Sequence, residues 1–414
     1  MTDTAGTLGP GVGGSPVGRR RRLWVRRGLF GVAGVSLVAV GVGVGVYVKL
    51  DGNITADHGA AAELARYEKE RPTSLVRGAQ NILLIGSDSR AGKGNRKYGR
   101  DSGTERSDTT ILLHLAADRR SATAMSLPRD LMVDVPSCRR PDGSRGEPVF
   151  AMFNHAFQQG GSACTIRTVE KLTDIRIDHH MVVDFRGFKD IVDAVDGVEV
   201  CLAEAVDDRE AKLRLPAGKV TLNGEQALGY VRARKSLGNG SDTARMDRQQ
   251  RFLGALVNKV QSDDVLLNPV KLYPVLDAAT SSLTTDPALA SLRGLYELVR
   301  GMRDIPTERV RFLTVPRESY AHDANRDQLV EPDAGRLFER LRSDEPVAVA
   351  KEIPVQDDSF AQSSELQHNY GYGFDEFGAD TAGEPSGKPS SGQLPTPSPV
   401  PTFRGNTAAR DACG

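Results

Sequence analysis

Net charge is the first thing this sequence lacks. Across 414 residues, 54 lysines and arginines balance 54 aspartates and glutamates. A general nucleic-acid binder carries a strongly basic domain, so the balance argues against that class. Cysteine is scarce, and none of the four residues (Cys138, Cys164, Cys201, Cys413) has metal-ligand spacing. No G-x-x-x-x-G-K-[ST] run occurs, which excludes an ATP-type phosphate loop. No internal repeat is visible, so the chain is not read as a solenoid. Histidine is sparse as well. His114, His155, His179 and His180 offer no third and fourth partner that would complete a metal site.

What is present is organised. Residues 1–27 form a Gly/Pro/Ser/Thr-rich tail that ends in Arg19, Arg20, Arg21, Arg22, Arg26 and Arg27. Residues 28–48 then run for 21 positions without a charge. As a helix they would span roughly 30 Å, the thickness of a bilayer core. The basic flank predicts a cytoplasmic N-terminus and an external remainder. A cleaved signal peptide would have a shorter apolar region and a small-x-small site, and "VYVKLDGNIT" offers none. The expectation is therefore a retained anchor in the cell membrane. Outside the membrane, pairing of cysteines is allowed. Four cysteines permit three pairings. Cys138–Cys164 is favoured, because it staples a polar, loop-rich stretch, and Cys201–Cys413 is the weaker alternative.

Residues 49–80 read as an external helical spacer ended by Pro72. From 81 to 345, strand-like runs ("NILLIG", "TTILLHLA", "SATAMSLP", "HHMVVDF", "VEVCL", "RVRFLTVP") alternate with helical patterns. "PVFAMFNHAFQQGG" reads as a helix stopped by two glycines, followed by a second helix. In "LNGEQALGYVRAR", Asn223 is a candidate N-cap with Gln226 three residues on. The alternation predicts one α/β domain, a mixed sheet with helices on both faces. Residues 346–414, rich in Pro and Ser, read as an unfolded tail.

Charge inside this domain is clustered. "YVRARKSLGNGSDTARMDRQQR" alone holds five arginines. Asp88 and Arg90 follow a strand, Arg106 and Asp108 precede one, and Arg129 and Asp130 follow another. Arg232, Arg234, Arg245 and Gln249 complete the set. Each taken alone reads as a solvated turn or helix face. Together, arginines and separated aspartates at element ends are the parts that hold a pyrophosphate with a metal. Guanidinium groups bind phosphate oxygens bidentately and keep their charge. Carboxylates reach phosphate through a bridging divalent cation.

"NILLIGSDSR", "RSDTTILLHL", "MSLPRDLMVDVP", "FNHAFQQGG", "VDFRGFKDIVDAVDGVEV" and "LNGEQALGYVRAR…DTARMDRQQ" resemble, in order and spacing, the LytR-CpsA-Psr family over about 81–260. The resemblance implies a membrane-anchored phosphotransferase. Such an enzyme moves a glycopolymer from a polyprenyl-pyrophosphate carrier to the C6 hydroxyl of N-acetylmuramic acid in peptidoglycan. It also implies Mg²⁺ (or Mn²⁺) at Asp88 and Asp108, and pyrophosphate held by Arg106, Arg129, Arg232, Arg234 and Arg245, with Gln249 as polar partner. Asp130 either orients an arginine or serves as base. The family often has a lysine where Met152 stands, so one phosphate contact is missing. The runs "MVVDF", "FKDIVDAV" and "FLGALV" are either ordinary core or the lining of a groove for the lipid. Two other readings use the same site: a phosphatase with water as acceptor, and a binder of anionic wall polymer without chemistry.

Overall fold

A computed structural model describes residues 17–87, 107–140, 142–233, 237, 242–261, 269–350 and 401–409. The chain enters as one helix, α1 (Val17–Asn53), whose side chains are described from Phe30 on, except at 31, 32 and 35. Among the described residues no helix is long and apolar enough to cross a membrane. The expected spanning segment 28–48 lies inside α1, partly beyond the described side chains. Then come β1 (Thr55–Ala56) and α2 (His58–Arg66). The next elements are β2 (Gln80–Ser87), β3 (Ser107–Leu115), β4 (Ala122–Leu127), β5 (Met132–Val135), β6 (Val149–Met152) and α3 (Asn154–Thr173). They lead to β7 (His179–Asp184), α4 (Phe185–Ala194), β8 (Val198–Leu202), β9 (Val206–Asp208), β10 (Leu213–Leu215) and β11 (Gly218–Leu222). The chain continues through α5 (Gly224–Arg232), α6 (Asp242–Gln261), α7 (Pro269–Ser282), β12 (Leu283–Thr285) and α8 (Leu292–Arg303). It closes with β13 (Val310–Thr314), β14 (Arg317–Tyr320), β15 (Asp323–Leu329), α9 (Asp333–Arg342), β16 (Ala348–Ala350) and β17 (Thr402–Thr407).

Nine strands form one mixed sheet in the order β1-β12-β7-β2-β3-β4-β13-β17-β16. β2, β3 and β4 pair antiparallel, while β7 joins β2 and β13 joins β4 in parallel. The central strands read as near-continuous apolar runs because both faces are covered. Side chains alternate between faces. Leu83, Ile85 and Met125 pack on α2, α3 and α9. Ile82, Leu84, Ile111 and Met181 pack on α6 and α8. A third cluster joins α4, α5, the β8–β11 hairpins and Phe252. Each such buried aliphatic side chain contributes roughly 1.5–3 kcal/mol of transfer free energy.

The mixed α/β architecture is the one expected, and four local expectations change. "PVFAM" is a strand rather than a helix start. β6 pairs with β5, and α3 begins only at Asn154. The two glycines after it do not end a helix but break one. Gly160 and Gly161 have non-helical dihedrals inside α3, and Gly161 lies at φ 59°, ψ −148°, open only to glycine. The spacer contributes β1 to the sheet edge. The tail from 346 is not wholly unfolded. β17 inserts between β13 and β16, burying Phe403, and Ala408 lies buried just beyond it. Composition hides this strand, because Pro and Ser dominate the window around it. A free β13 edge would leave a row of unpaired backbone groups, and β17 fills it.

Cys138 and Cys164 are joined, as the loop between them suggested. Gly160 makes room for the link, since a Cβ there would meet both cysteine Cβ atoms at 2.9–3.1 Å. Cys201 is also disulfide-bonded. Its expected partner, Cys413, lies outside the described residues.

Candidate functional site

The carboxyl ends of β2, β4, β7 and β13 and the amino end of β3 meet at one edge of the sheet. Register sets this: Ser87 pairs with both Ser107 and Asp184, Thr110 with Leu127, and Thr314 with Ser126. Open α/β sheets bind ligands at such an end. Asp108 stands at the start of β3, and Arg129 and Asp130 stand just past β4.

Arg129 is a fork between two acids. Its Nη1 donates to Asp108 Oδ1 at 3.0 Å and its Nε to Asp130 Oδ2 at 3.2 Å. Burial works against its charge, but Asp130 and Asp108 outweigh burial and hold it above the ordinary arginine value. Asp130 is thus hydrogen-bonded to an arginine, the contact that the orienting role needs.

Two helices bring the other cations. α5 starts with a reciprocal cap: Asn223 Oδ1 accepts from Gln226 N at 2.9 Å, and Gln226 Oε1 accepts from Asn223 N at 3.1 Å. This fixes the helix that ends in Arg232. The Arg232 guanidinium carbon lies 4.5 Å from the centre of the Phe185 ring, a cation–π seat. α6 carries Arg245, buried and paired with Asp242 at 2.6 Å. Gln249 donates to Val231 O at 3.2 Å, tying α6 to α5.

These residues share one cavity of about 950 Å³. Asp108, Arg129, Arg232, Arg245 and Gln249 line its polar part. Phe188, Ile191, Phe252, Leu253, Leu256 and Leu283 line the remainder. All three apolar runs singled out in the sequence place residues in that wall, while Val192 and Phe252 also belong to the buried core. Asp88, Arg90, Arg106 and Arg234 lie outside the described residues. Met152 lies at the end of β6, opposite Met132, and does not line the cavity.

Some site residues escaped the sequence reading. Arg248 donates to the Tyr230 carbonyl at 2.8 Å, to Leu237 O at 3.2 Å and to Ala233 O. It thereby holds carbonyls that the end of α5 cannot satisfy itself. Burial lowers its pKa. Arg317 was missed altogether. It pairs with Asp327 and donates to Thr243 Oγ1 at 2.7 Å, one residue from Asp242. Asp327 N in turn donates to Asp130 O at 3.1 Å. A signal existed: "LPRD" after β4 is echoed by "VPRE" after its parallel neighbour β13. The histidines go elsewhere. His180 meets Asp57 and His179 meets Asp286, each at 3.3 Å.

Comparison with known proteins decides the family. The LytR_cpsA_psr family matches residues 46–343. The chain belongs to that family. It is 33% identical over 311 residues to the cell wall biosynthesis protein LcpA of Corynebacterium glutamicum, covering 69% of this chain and 57% of LcpA. The chain thus spans little over half of that relative. It is 29% identical over 299 residues to the polyisoprenyl-teichoic acid–peptidoglycan teichoic acid transferase TagT of Bacillus subtilis, covering 69% of this chain and 85% of TagT. The crystal structure of B. subtilis TagV shares the fold at a TM-score of 0.51 and 24% identity, covering 65% of this chain and 98% of TagV. Family membership accounts for the ordered motifs, from "NILLIGSDSR" to "DTARMDRQQ", better than any single motif does.

Proposed function

We propose that this LytR_cpsA_psr protein is a membrane-anchored phosphotransferase. It moves a glycopolymer from a polyprenyl-pyrophosphate carrier onto peptidoglycan, forming a phosphodiester to the C6 hydroxyl of N-acetylmuramic acid. The observation that carries the reading is the amphiphilic cavity. Its apolar wall shares one cavity with Arg129, Arg232, Arg245 and Asp108. The name of TagT, which specifies a polyisoprenyl-linked donor and a peptidoglycan acceptor, points the same way.

In this reading the lipid lies between α4 and α6, and the arginines hold the pyrophosphate. An acceptor oxygen bonds to the glycan-side phosphorus, the bridging P–O bond breaks, and polyprenyl phosphate leaves. The acceptor hydroxyl gives up its proton as the new bond forms, and the departing polyprenyl phosphate takes it up. Arg129 neutralises the charge that develops on the leaving phosphate, the kind of preorganised stabilisation that dominates phosphoryl transfer. Arg245, held by Asp242, and Arg232, seated on Phe185, enter without reorganisation.

A divalent ion fits the donor chemistry. Asp108 offers hard carboxylate oxygens at the cavity mouth, with its side chain 30% exposed. Among the described residues no group of three His, Cys, Asp or Glu side chains gathers to cage a metal. Mg²⁺ in such a setting is held by one or two carboxylates, with phosphate and water completing its shell. Asp108 and Asp88 are the proposed holders. When bound, the ion supplies Lewis-acid charge on the phosphate oxygens.

The membrane anchor is part of the same proposal. Phe30, Leu37 and Val38 of α1 are 77%, 73% and 67% exposed, an apolar helix surface left open by the described residues. A bilayer would cover it, with the arginines at 19–27 on the cytoplasmic side. The purified full chain, given polyprenyl-pyrophosphate oligosaccharide, Mg²⁺ and peptidoglycan oligomers, should yield phosphate-linked glycan. Release of free sugar phosphate alone, with or without oligomer, would replace the ligase by a phosphatase.

A further inference from the structure

A second cavity, of about 1200 Å³, lies mainly on the opposite face of the sheet, between α2, α3, the α7–β12 junction and the first turns of α4, where Arg186, Gly187 and Asp190 line it. Val182 lines it, whereas its neighbours Met181 and Val183 line the apolar cavity. Successive strand residues point to opposite faces, so the two cavities are back to back. They meet at the strand ends, where both are lined by Ser87, Asp184 and Leu283. Ser87 pairs with Ser107, the residue before Asp108.

We propose that this second cavity is the acceptor site, and that it takes a hydroxyl-rich glycan bearing carboxylates, a segment of peptidoglycan strand. The inference rests on the transferase reading above. In-line displacement puts the attacking and leaving oxygens on opposite sides of phosphorus. With the leaving lipid phosphate held on the α4–α6 face, the nucleophile must come from the α3 face. The donor's own glycan departs sideways from that line. The wall chemistry agrees. Thr55, Ser162, Ser281 and Thr284 bring hydroxyls; acids (Asp57, Glu63, Asp184, Asp190) line the cavity as well, and the exposed Arg139 and Arg140 are the part of its rim that suits carboxylates. The break in α3 also belongs to this wall. Gly160 and Gly161 both line it, and a Cβ on Gly161 would meet nothing within 4 Å. The glycines expose backbone to the cleft where a regular helix would close it.

The test uses the full chain and two variants on the exposed rim. Ala62→Trp adds bulk from the exposed side of α2, and R139E/R140E reverses the charge. Direct binding of a soluble peptidoglycan oligomer is measured by calorimetry, beside transfer kinetics and affinity for the lipid-pyrophosphate donor. Both variants should weaken oligomer binding and raise acceptor KM at least tenfold, with donor affinity changed less than twofold. Unchanged oligomer binding in both folded variants would overturn the proposal. So would a loss of donor affinity with acceptor KM unchanged, which would assign the cavity to the donor's glycan. If wild type binds oligomer and the variants do not, yet water is the only acceptor used, the cleft stands and the transferase reading falls.

Discussion

The two cavities that meet at Ser87 and Asp184 differ in almost every physical respect. One is walled largely by Phe, Leu, Ile and Val, and three of its arginines are fixed, Arg129 and Arg245 by acids and Arg232 by a ring. The other mixes acids, arginines, hydroxyls and glycines along its wall. The first suits a ligand with a long apolar part and a compact, multiply charged head. The second suits something polar throughout. A single sheet can serve both because alternate side chains of one strand face different layers, so β7 lines an apolar wall with Met181 and Val183 and a polar one with Val182 and Asp184.

The sharpest way to break this contrast is Arg129→Ala. Loss of one preorganised cation at a phosphoryl centre should lower kcat by about 10²–10³, or roughly 3–4 kcal/mol. Acceptor binding should persist, because Arg129 lines only the apolar cavity. Near-normal turnover in a steady-state assay would mean that Arg129 only joins two loops.

The next effect falls on the α3 face alone. Replacing Cys138 and Cys164 by Ser opens a link with a sequence separation of 26. Chain entropy puts the cost at about 3–4 kcal/mol. Calorimetry should show a lower Tm, while donor affinity stays near wild type. An unchanged Tm would show that packing around Gly160 holds the loop without the bond.

A smaller change sharpens the apolar side. Leu256→Trp fills the wall contributed by α6. Donor KM should rise about tenfold, near 1.4 kcal/mol, for a long-chain carrier and less for a short-chain analogue. Equal effects on both would place the tail elsewhere.

The smallest effect is on pH dependence. Burial holds the His114 pKa below its ordinary 6.5, against Asp344, which pulls it up. The unfolded chain therefore takes the proton first, so the contribution to stability is complete above pH 6.5 and declines as pH falls below it. Asp57 and Asp286 keep depressed pKa values despite burial, through His180 and His179 respectively, and lose their contribution only below about pH 3.8. Thermal melts between pH 7 and pH 5 should show a slope that His114→Gln removes. A slope unaffected by that substitution would place the titration in another group.

The sequence legibility follows the same division. Residues whose role is local were readable: the Asn223 cap, the alternating apolar strands, and arginines next to strand ends. The apolar runs on α4 and α6 were readable as groove or core but not as one of the two, since the difference lies in whether facing elements close on each other. Partnerships made by distant chain were hidden. Arg317 reaches Thr243, and β17 reaches β13 across a long stretch, and no local pattern encodes either contact. The second cavity was invisible for the same reason: its wall comes from α2, α3, β7, α4 and α7, brought together only by the fold.

In the proposed function the apolar cavity and its cations form one lipid-pyrophosphate site. A structure of the full chain with a short-chain prenyl pyrophosphate and Mg²⁺ tests it most directly. The diphosphate should contact Arg129, Arg232 and Arg245, with the tail between α4 and α6. A diphosphate bound away from those three guanidinium groups, or a tail lying on the α3 face, would contradict it.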